Sequence, residues 1–207
     1  MRKALTIIIT MLAILPFQTF ADETKNYEIT INGKTYDVSL GREYQAQLDS
    51  GKTLTFKIDK KAIMIYRDDF ISFRHKNDLT ISAKNIGSGI RQTMTNTAVG
   101  TLILFQEYSS MNPSSLVNLM LQELTKEQVS YGYKIQKNAT SKTLKDGTTL
   151  KGKKAVLTYG NEEEHWTILA YGKRDRGLLV ITKIDKDNMV AEKDILDLMW
   201  NSLNISI

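Results

Sequence analysis

The sequence predicts an α+β fold, an antiparallel β-sheet flanked by helices in an α/β/α sandwich, with an N-terminal β-hairpin. Three observations predict it. The first half of the chain is a series of short strand-like runs separated by turn residues. Two later runs, Leu102-Ile103-Leu104-Phe105 and Leu178-Leu179-Val180-Ile181, are apolar without alternation, which suits strands covered on both faces. Two amphipathic helices bracket a meander with hairpin-length connections, and no βαβ rhythm runs through the chain.

In chain order, Tyr27 to Ile31 and Lys34 to Leu40 flank Asn32-Gly33, the dipeptide that supplies both positive φ angles of a type I′ turn. Strand candidates follow at 54–58, 62–66, 70–73 and 79–83, and the doubly apolar strand at 101–108. Asn112-Pro113 offers an N-cap and a favoured first helical position, and Leu116, Val117, Met120, Leu121 and Leu124 recur at helical spacing, so a helix is expected over 113–130. Strands are expected at 133–144, 150–159, 166–171 and 178–184, with turns at Asp146-Gly147 and Gly160-Asn161. A terminal helix over 190–203 carries Ile195, Leu196, Met199 and Leu203 on one stripe.

Ahead of these elements, Arg2 and Lys3 precede an apolar run from Ala4 to Phe17, and Thr19-Phe20-Ala21 puts small residues where a signal peptidase reads. The run is shorter than the roughly 20 residues of a spanning helix. Residues 1–21 are therefore expected to be a cleaved signal peptide, leaving a periplasmic or secreted protein with no transmembrane segment. The sequence has no Cys, which excludes disulfides, thiolate metal sites and lipid attachment through cysteine. Loss of Arg2 and Lys3 lowers the formal charge from +5 to +3, too little to argue for nucleic acid.

The stretches Phe70-Ile71-Ser72-Phe73 and Leu79-Thr80-Ile81-Ser82, the strand 101–108 with Asn112-Pro113-Ser114-Ser115-Leu116, Tyr131-Gly132-Tyr133-Lys134, and the strand 177–184 with the helix 195–203 together resemble the PsbP-like fold family, which includes exported bacterial proteins of the DcrB type. The resemblance covers residues 66–207 and leaves 22–65 as a β-rich N-terminal extension. It implies an antiparallel sheet between helices that serves as a binding or assembly module and not as an enzyme. It brings no site motif, so no binding residue carries over.

His75 and His165 are the two histidines, neither lies near a Gly-x-Ser-x-Gly elbow, and His75 reads as a turn residue. Glu162-Glu163-Glu164-His165 reads as a solvated acidic turn; as strand residues they would point to opposite faces and not converge on an ion, and only in a turn could they gather around a metal. Asp185-Lys186-Asp187-Asn188 begins with calcium-loop spacing but lacks the later Gly and Glu, and Gly87-Ser88-Gly89 lacks the rest of a phosphate loop. Asn138-Ala139-Thr140 and Asn204-Ile205-Ser206 fit the glycosylation acceptor pattern, which has no meaning in a bacterium. No catalytic residue, metal or cofactor is expected.

One charge asymmetry remains. Between residues 134 and 154 seven lysines face the single acid Asp146. Lys137, Lys142, Lys145, Lys151, Lys153 and Lys154 flank the Asp146-Gly147 turn as a candidate basic patch for an envelope protein, an anionic polymer or an anionic surface. The equally simple reading is a sheet edge whose lysines discourage strand-to-strand aggregation. The reading as a whole is a non-catalytic exported protein that binds a macromolecular partner in the bacterial cell envelope. The alternatives are a carboxylate-based hydrolase, which needs two acids distant in sequence to meet in a cleft, and an inhibitor or immunity-type protein.

Overall fold

The computed structural model describes residues 27–207, so the expected signal peptide lies outside the described residues. The chain is α+β and forms two compact units that divide between Lys60 and Lys61. The first unit holds two hairpins. β1 (Tyr27–Ile31) pairs with β2 (Lys34–Val38) across Asn32-Gly33, whose φ angles of 49° and 79° are those the dipeptide predicts. β3 (Glu43–Gln47) pairs with β4 (Thr53–Lys57). Val38 and Ala46 are buried, and Phe56 stacks on Tyr44 at 5.8 Å and meets Tyr36 edge-on at 6.4 Å.

The second unit begins five residues ahead of the expected 65/66 boundary, because β5 (Ile63–Arg67) pairs along its whole length with β6 (Ile71–Lys76). β7 (Ser82–Gly87), β8 (Ile90–Asn96) and β9 (Leu102–Tyr108) follow as a meander. A 3-10 turn at Pro113–Leu116, with the Asn112 side chain accepting from Ser114 N at 3.0 Å, leads into α1 (Val117–Tyr131). Gly132, at φ 114°, ends the helix in the left-handed conformation that glycine adopts without strain. β10 (Lys134–Thr143), β11 (Thr149–Tyr159), β12 (Glu162–Gly172) and β13 (Gly177–Asp185) come next, then α2 (Met189–Trp200) and the two-residue β14 (Asn204–Ile205).

Seven strands form one antiparallel sheet in the order β10-β11-β12-β13-β9-β8-β7. Its central strands bury both faces. Leu104, Tyr108, Ala155, Leu157, Trp166, Ile168, Leu179 and Ile181 pack under α1 through Val117 and Leu121. Ile103, Phe105, Leu169, Leu178 and Val180 pack on the other side against Ile195 and Met199 of α2. That second layer is mixed rather than purely helical, because the small sheet β14-β6-β5 lies beside α2 and contributes Ile71 and Phe73, with the Phe73 ring 4.8 Å from that of Phe105.

Three strands escaped the sequence pattern. β3 and β8 carry polar residues at most positions, and β14 is too short to show a period. The terminal helix stops at Trp200 rather than 203, because Asn201–Leu203 turn the chain so that Asn204 and Ile205 can pair with Ser72 and Ile71.

β11 and β12 approach so closely at Gly152 that a Cβ there would lie 2.0 Å from the Ile168 carbonyl oxygen and 2.9 Å from Leu169 Cα, backbone atoms that have no rotamer to escape into. Gly152→Ala is therefore expected to cost more than about 2 kcal/mol of stability, measured as a lowered denaturant midpoint, and an unchanged midpoint would contradict the packing of these strands.

Candidate functional site

The lysine-rich segment is the hairpin β10–β11, and β10 is an edge of the large sheet with eight of its ten residues exposed. Alternation divides its charges between two faces. Ala155 and Leu157 face α1, so Lys151 and Lys153 share that face, joined by Lys137 opposite Ala155. Leu150 faces the other core, so Lys154 lies on that side with Lys142, opposite Leu150, and Lys134, opposite Thr158. Lys145 sits in the turn beside Asp146. The six candidate lysines thus divide, with Lys134 included, into two triads on opposite faces plus Lys145 in the turn. Lys142 also places its ammonium 5.9 Å from the centre of the Trp200 ring. Among the described residues no carboxylate forms an ion pair with any of the seven lysines.

Glu162, Glu163 and Glu164 open β12 rather than forming a turn, because they pair with Tyr159, Thr158 and Leu157 of β11. Strand alternation sends them to opposite faces. Glu164 accepts from Trp166 Nε1 at 3.0 Å, and Tyr133 donates its hydroxyl to Glu162, which pushes the Tyr133 pKa up to about 12. Glu163, on the other face, binds Lys186 at 3.0 Å and His165 Nε2 at 2.6 Å, and these two partners hold its carboxyl below the usual range. His75 likewise belongs to a strand, β6, with Nδ1 2.9 Å from the Lys76 carbonyl oxygen. Among the described residues no group of three His, Cys, Asp or Glu side chains is placed to hold a metal ion.

A second constellation lies at the end of the α2-side core. Glu107 follows Ile103 and Phe105 on the inward face of β9, where its register neighbours are Leu178 on β13 and Arg91 on β8. It is 5% exposed, and its Oε1 has no hydrogen-bond partner. Asp68, in the turn between β5 and β6, comes within hydrogen-bonding reach of it. Asp68 Oδ1 accepts from Phe70 N at 2.9 Å and Ile71 N at 2.8 Å, while Oδ2 accepts from the Tyr66 hydroxyl at 2.8 Å and lies 3.6 Å from Arg91 Nε. Arg91 Nη2 in turn donates to the Tyr66 oxygen at 3.2 Å, which raises the guanidinium pKa.

These environments push two neighbouring carboxyls apart. Burial works against an ionised Asp68, but the bonds from Ile71 N, Tyr66 and Phe70 N hold its pKa below the usual carboxylate value. Burial, and then the Asp68 charge beside it, push Glu107 up to about 8. At neutral pH the pair is a carboxylate and a carboxylic acid. Glu107 lines an open cleft of about 340 Å³ with Asp68, Asp69, Phe70, Asn85, Ile90, Arg91 and Ser109. Two acids meeting in a cleft is what the hydrolase alternative requires. Their direct reach is far shorter than the 5 Å or more that separates glycosidase carboxyls, and the oxygens of Asp68 are already taken.

Sequence reasoning passed over this cluster. Asp68-Asp69 falls in the polar break between two strand candidates, and Arg91 lies in a strand without an apolar pattern. A signal was present in Glu107, a charged residue in a strand otherwise suited to burial on both faces.

No protein-family model matches the chain, and no curated protein sequence does. The chain is similar to the solution structure of cyanobacterial PsbP (CyanoP) from Synechocystis sp. PCC 6803, with 13% sequence identity over 70% of this chain and 92% of that one, at a TM-score of 0.47.

A carboxyl protonated in the fold up to about pH 8, and ionised near 4.5 in the unfolded chain, favours the fold fully below pH 4.5 and loses that contribution as pH rises through 8. The size is a few kcal/mol at about 1.4 kcal/mol per pKa unit. Urea unfolding from pH 4.5 to 8.5 is expected to show the native protein losing stability relative to Glu107→Gln, which keeps the shape of the neutral acid. Parallel curves would contradict the buried proton.

Proposed function

We propose that this protein is exported to the bacterial cell envelope and acts without catalysis, by binding an anionic macromolecular surface through the hairpin β10–β11. The observation that carries the reading is the charge of that hairpin, seven lysines against Asp146 on a largely exposed sheet edge, with no carboxylate in ion pairs with them among the described residues. Ammonium groups on adjacent strands add their fields, and with no internal counter-charge to relinquish they meet a partner's carboxylates or phosphates directly. Export rests on the basic start, the apolar run and Thr19-Phe20-Ala21.

The two faces of the hairpin make the reading testable. The envelope form, whose N-terminal residue is expected to be Asp22, would be used as bait in envelope extract, and the captured partner titrated against two variants. One carries Lys137→Gln, Lys151→Gln and Lys153→Gln; the other carries Lys134→Gln, Lys142→Gln and Lys154→Gln. One triad is expected to weaken binding at least tenfold and flatten its salt dependence while the other changes little, since exposed charges are screened as the Debye length falls from about 10 Å at 0.1 M to about 3 Å at 1 M salt. The second variant also loses the Lys142 contact with Trp200, so a stability cost of about 0.5–1 kcal/mol is expected there. Unchanged binding by both variants would leave the lysines as protection for an edge strand, and an envelope form starting at residue 1 would overturn export.

A further inference from the structure

We propose that the cleft lined by Asp69, Asn85 and Glu107 is a binding site for a primary ammonium group, supplied by a lysine side chain of a protein or by a free polyamine. Asp68 uses Oδ1 on two backbone N–H groups and Oδ2 on Tyr66, and Arg91 is directed at Tyr66 and Asp68. Three acceptors remain around the cleft: Glu107 Oε1, buried and without a partner; the Asp69 carboxylate, in no ion pair among the described residues; and the Asn85 side-chain carbonyl. Ser109 adds a hydroxyl oxygen whose proton is donated to the Gly89 carbonyl. An ammonium brings three N–H donors to such a set, where a hydroxyl brings one.

Charge selects the same ligand. The groups around Glu107 are Asp68 and Asp69 from the β5–β6 turn, Arg91 from β8 and Tyr66 from β5, while its β13 neighbour Leu178 is apolar. Arg176 does not line the cleft but sits over the Phe70 ring at 5.9 Å. With Glu107 neutral, Asp68 and Asp69 still outnumber Arg91 among the lining side chains, so an anion is disfavoured. Among the described residues no three metal-ligating side chains converge, so an organic cation fits better than a metal ion. Phe70 and Ile90 offer apolar surface to the methylene stem of an alkylamine.

Binding is then coupled to a proton. Burial and the Asp68 charge keep Glu107 neutral at pH 7. An ammonium beside Oε1 favours the carboxylate, and the displaced proton leaves to solvent. Affinity is expected to rise about tenfold per pH unit below pH 8 and to level off above it, while the ligand amine, with a pKa of about 10.4, stays charged.

The test is calorimetric titration of the mature chain at pH 6.0, 7.0 and 8.5 with cadaverine and with acetyl-Gly-Lys-Gly-amide, using 1-pentanol and calcium chloride as controls. The proposal expects ammonium binding that strengthens with pH, proton release visible as a dependence of the heat on buffer ionisation, and no binding of either control. Glu107→Gln should abolish the pH dependence and weaken binding at pH 8.5 at least tenfold while unfolding as cooperatively as the native protein. Asp69→Asn, at an exposed position, should weaken binding at every pH. Tighter binding of the peptide supports a protein lysine as the natural source, and tighter binding of cadaverine supports a free polyamine. No binding of either amine at pH 8.5, equal binding of 1-pentanol, preference for calcium, or an unchanged pH slope in Glu107→Gln would overturn the proposal.

Discussion

β9 and β13 lie side by side at the centre of a sheet covered on both faces, and their side chains alternate into two separate cores. Neither strand has a solvated face, so each residue must be apolar, hydrogen-bonded or neutralised. Phe105, Leu178, Leu179, Val180 and Ile181 meet the first condition and are fully enclosed. Around them α1 closes one face, while α2 and the strands β5, β6 and β14 close the other. Glu107 breaks the apolar pattern at the rim, and the constraint that orders the rest of the layer forces it to keep a proton.

The same sheet distributes charge by distance from its centre. At the outer edge, β10 stands in water, and the lysines of the hairpin stay solvated on both faces. Toward the middle, acids and bases occur with partners: Lys183 between Glu164 and Asp185, Glu163 between Lys186 and His165, and Asp68 among four donors. Solvated charges act through long-range fields that salt screens, whereas an enclosed group acts at short range and through its proton. The hairpin and the Glu107 cleft are therefore proposed for different ligands, one anionic and extended, the other a single cationic group.

Much of this architecture was legible in the residues. Asn32-Gly33 fixed the first hairpin, the runs at 102–105 and 178–181 announced a sheet covered on both sides, and Asn112-Pro113 with Gly132 bounded α1. β8 was hidden because one face of it carries the exposed Arg91 and the buried Thr93, which are matched to polar partners from β5 and from the β5–β6 turn. Glu162 to Glu164 looked like a turn because strand pairing with β11 is a long-range fact that composition does not record. The lysine cluster was visible, but its division between two faces depends on register. Asp68 and Glu107 are 39 positions apart in the chain, and their meeting follows only from the placement of the β5–β6 turn at the end of β9.

The most direct measurement is a carbon-detected NMR titration of the Glu107 side-chain carboxyl in the folded protein between pH 4 and 9.5, with Asp68 followed in the same spectra. A Glu107 transition centred near pH 8 is expected, with an Asp68 carboxyl that stays ionised through that transition. A Glu107 transition at the ordinary glutamate value of 4.5 would mean that the core does not hold the proton, and would contradict it.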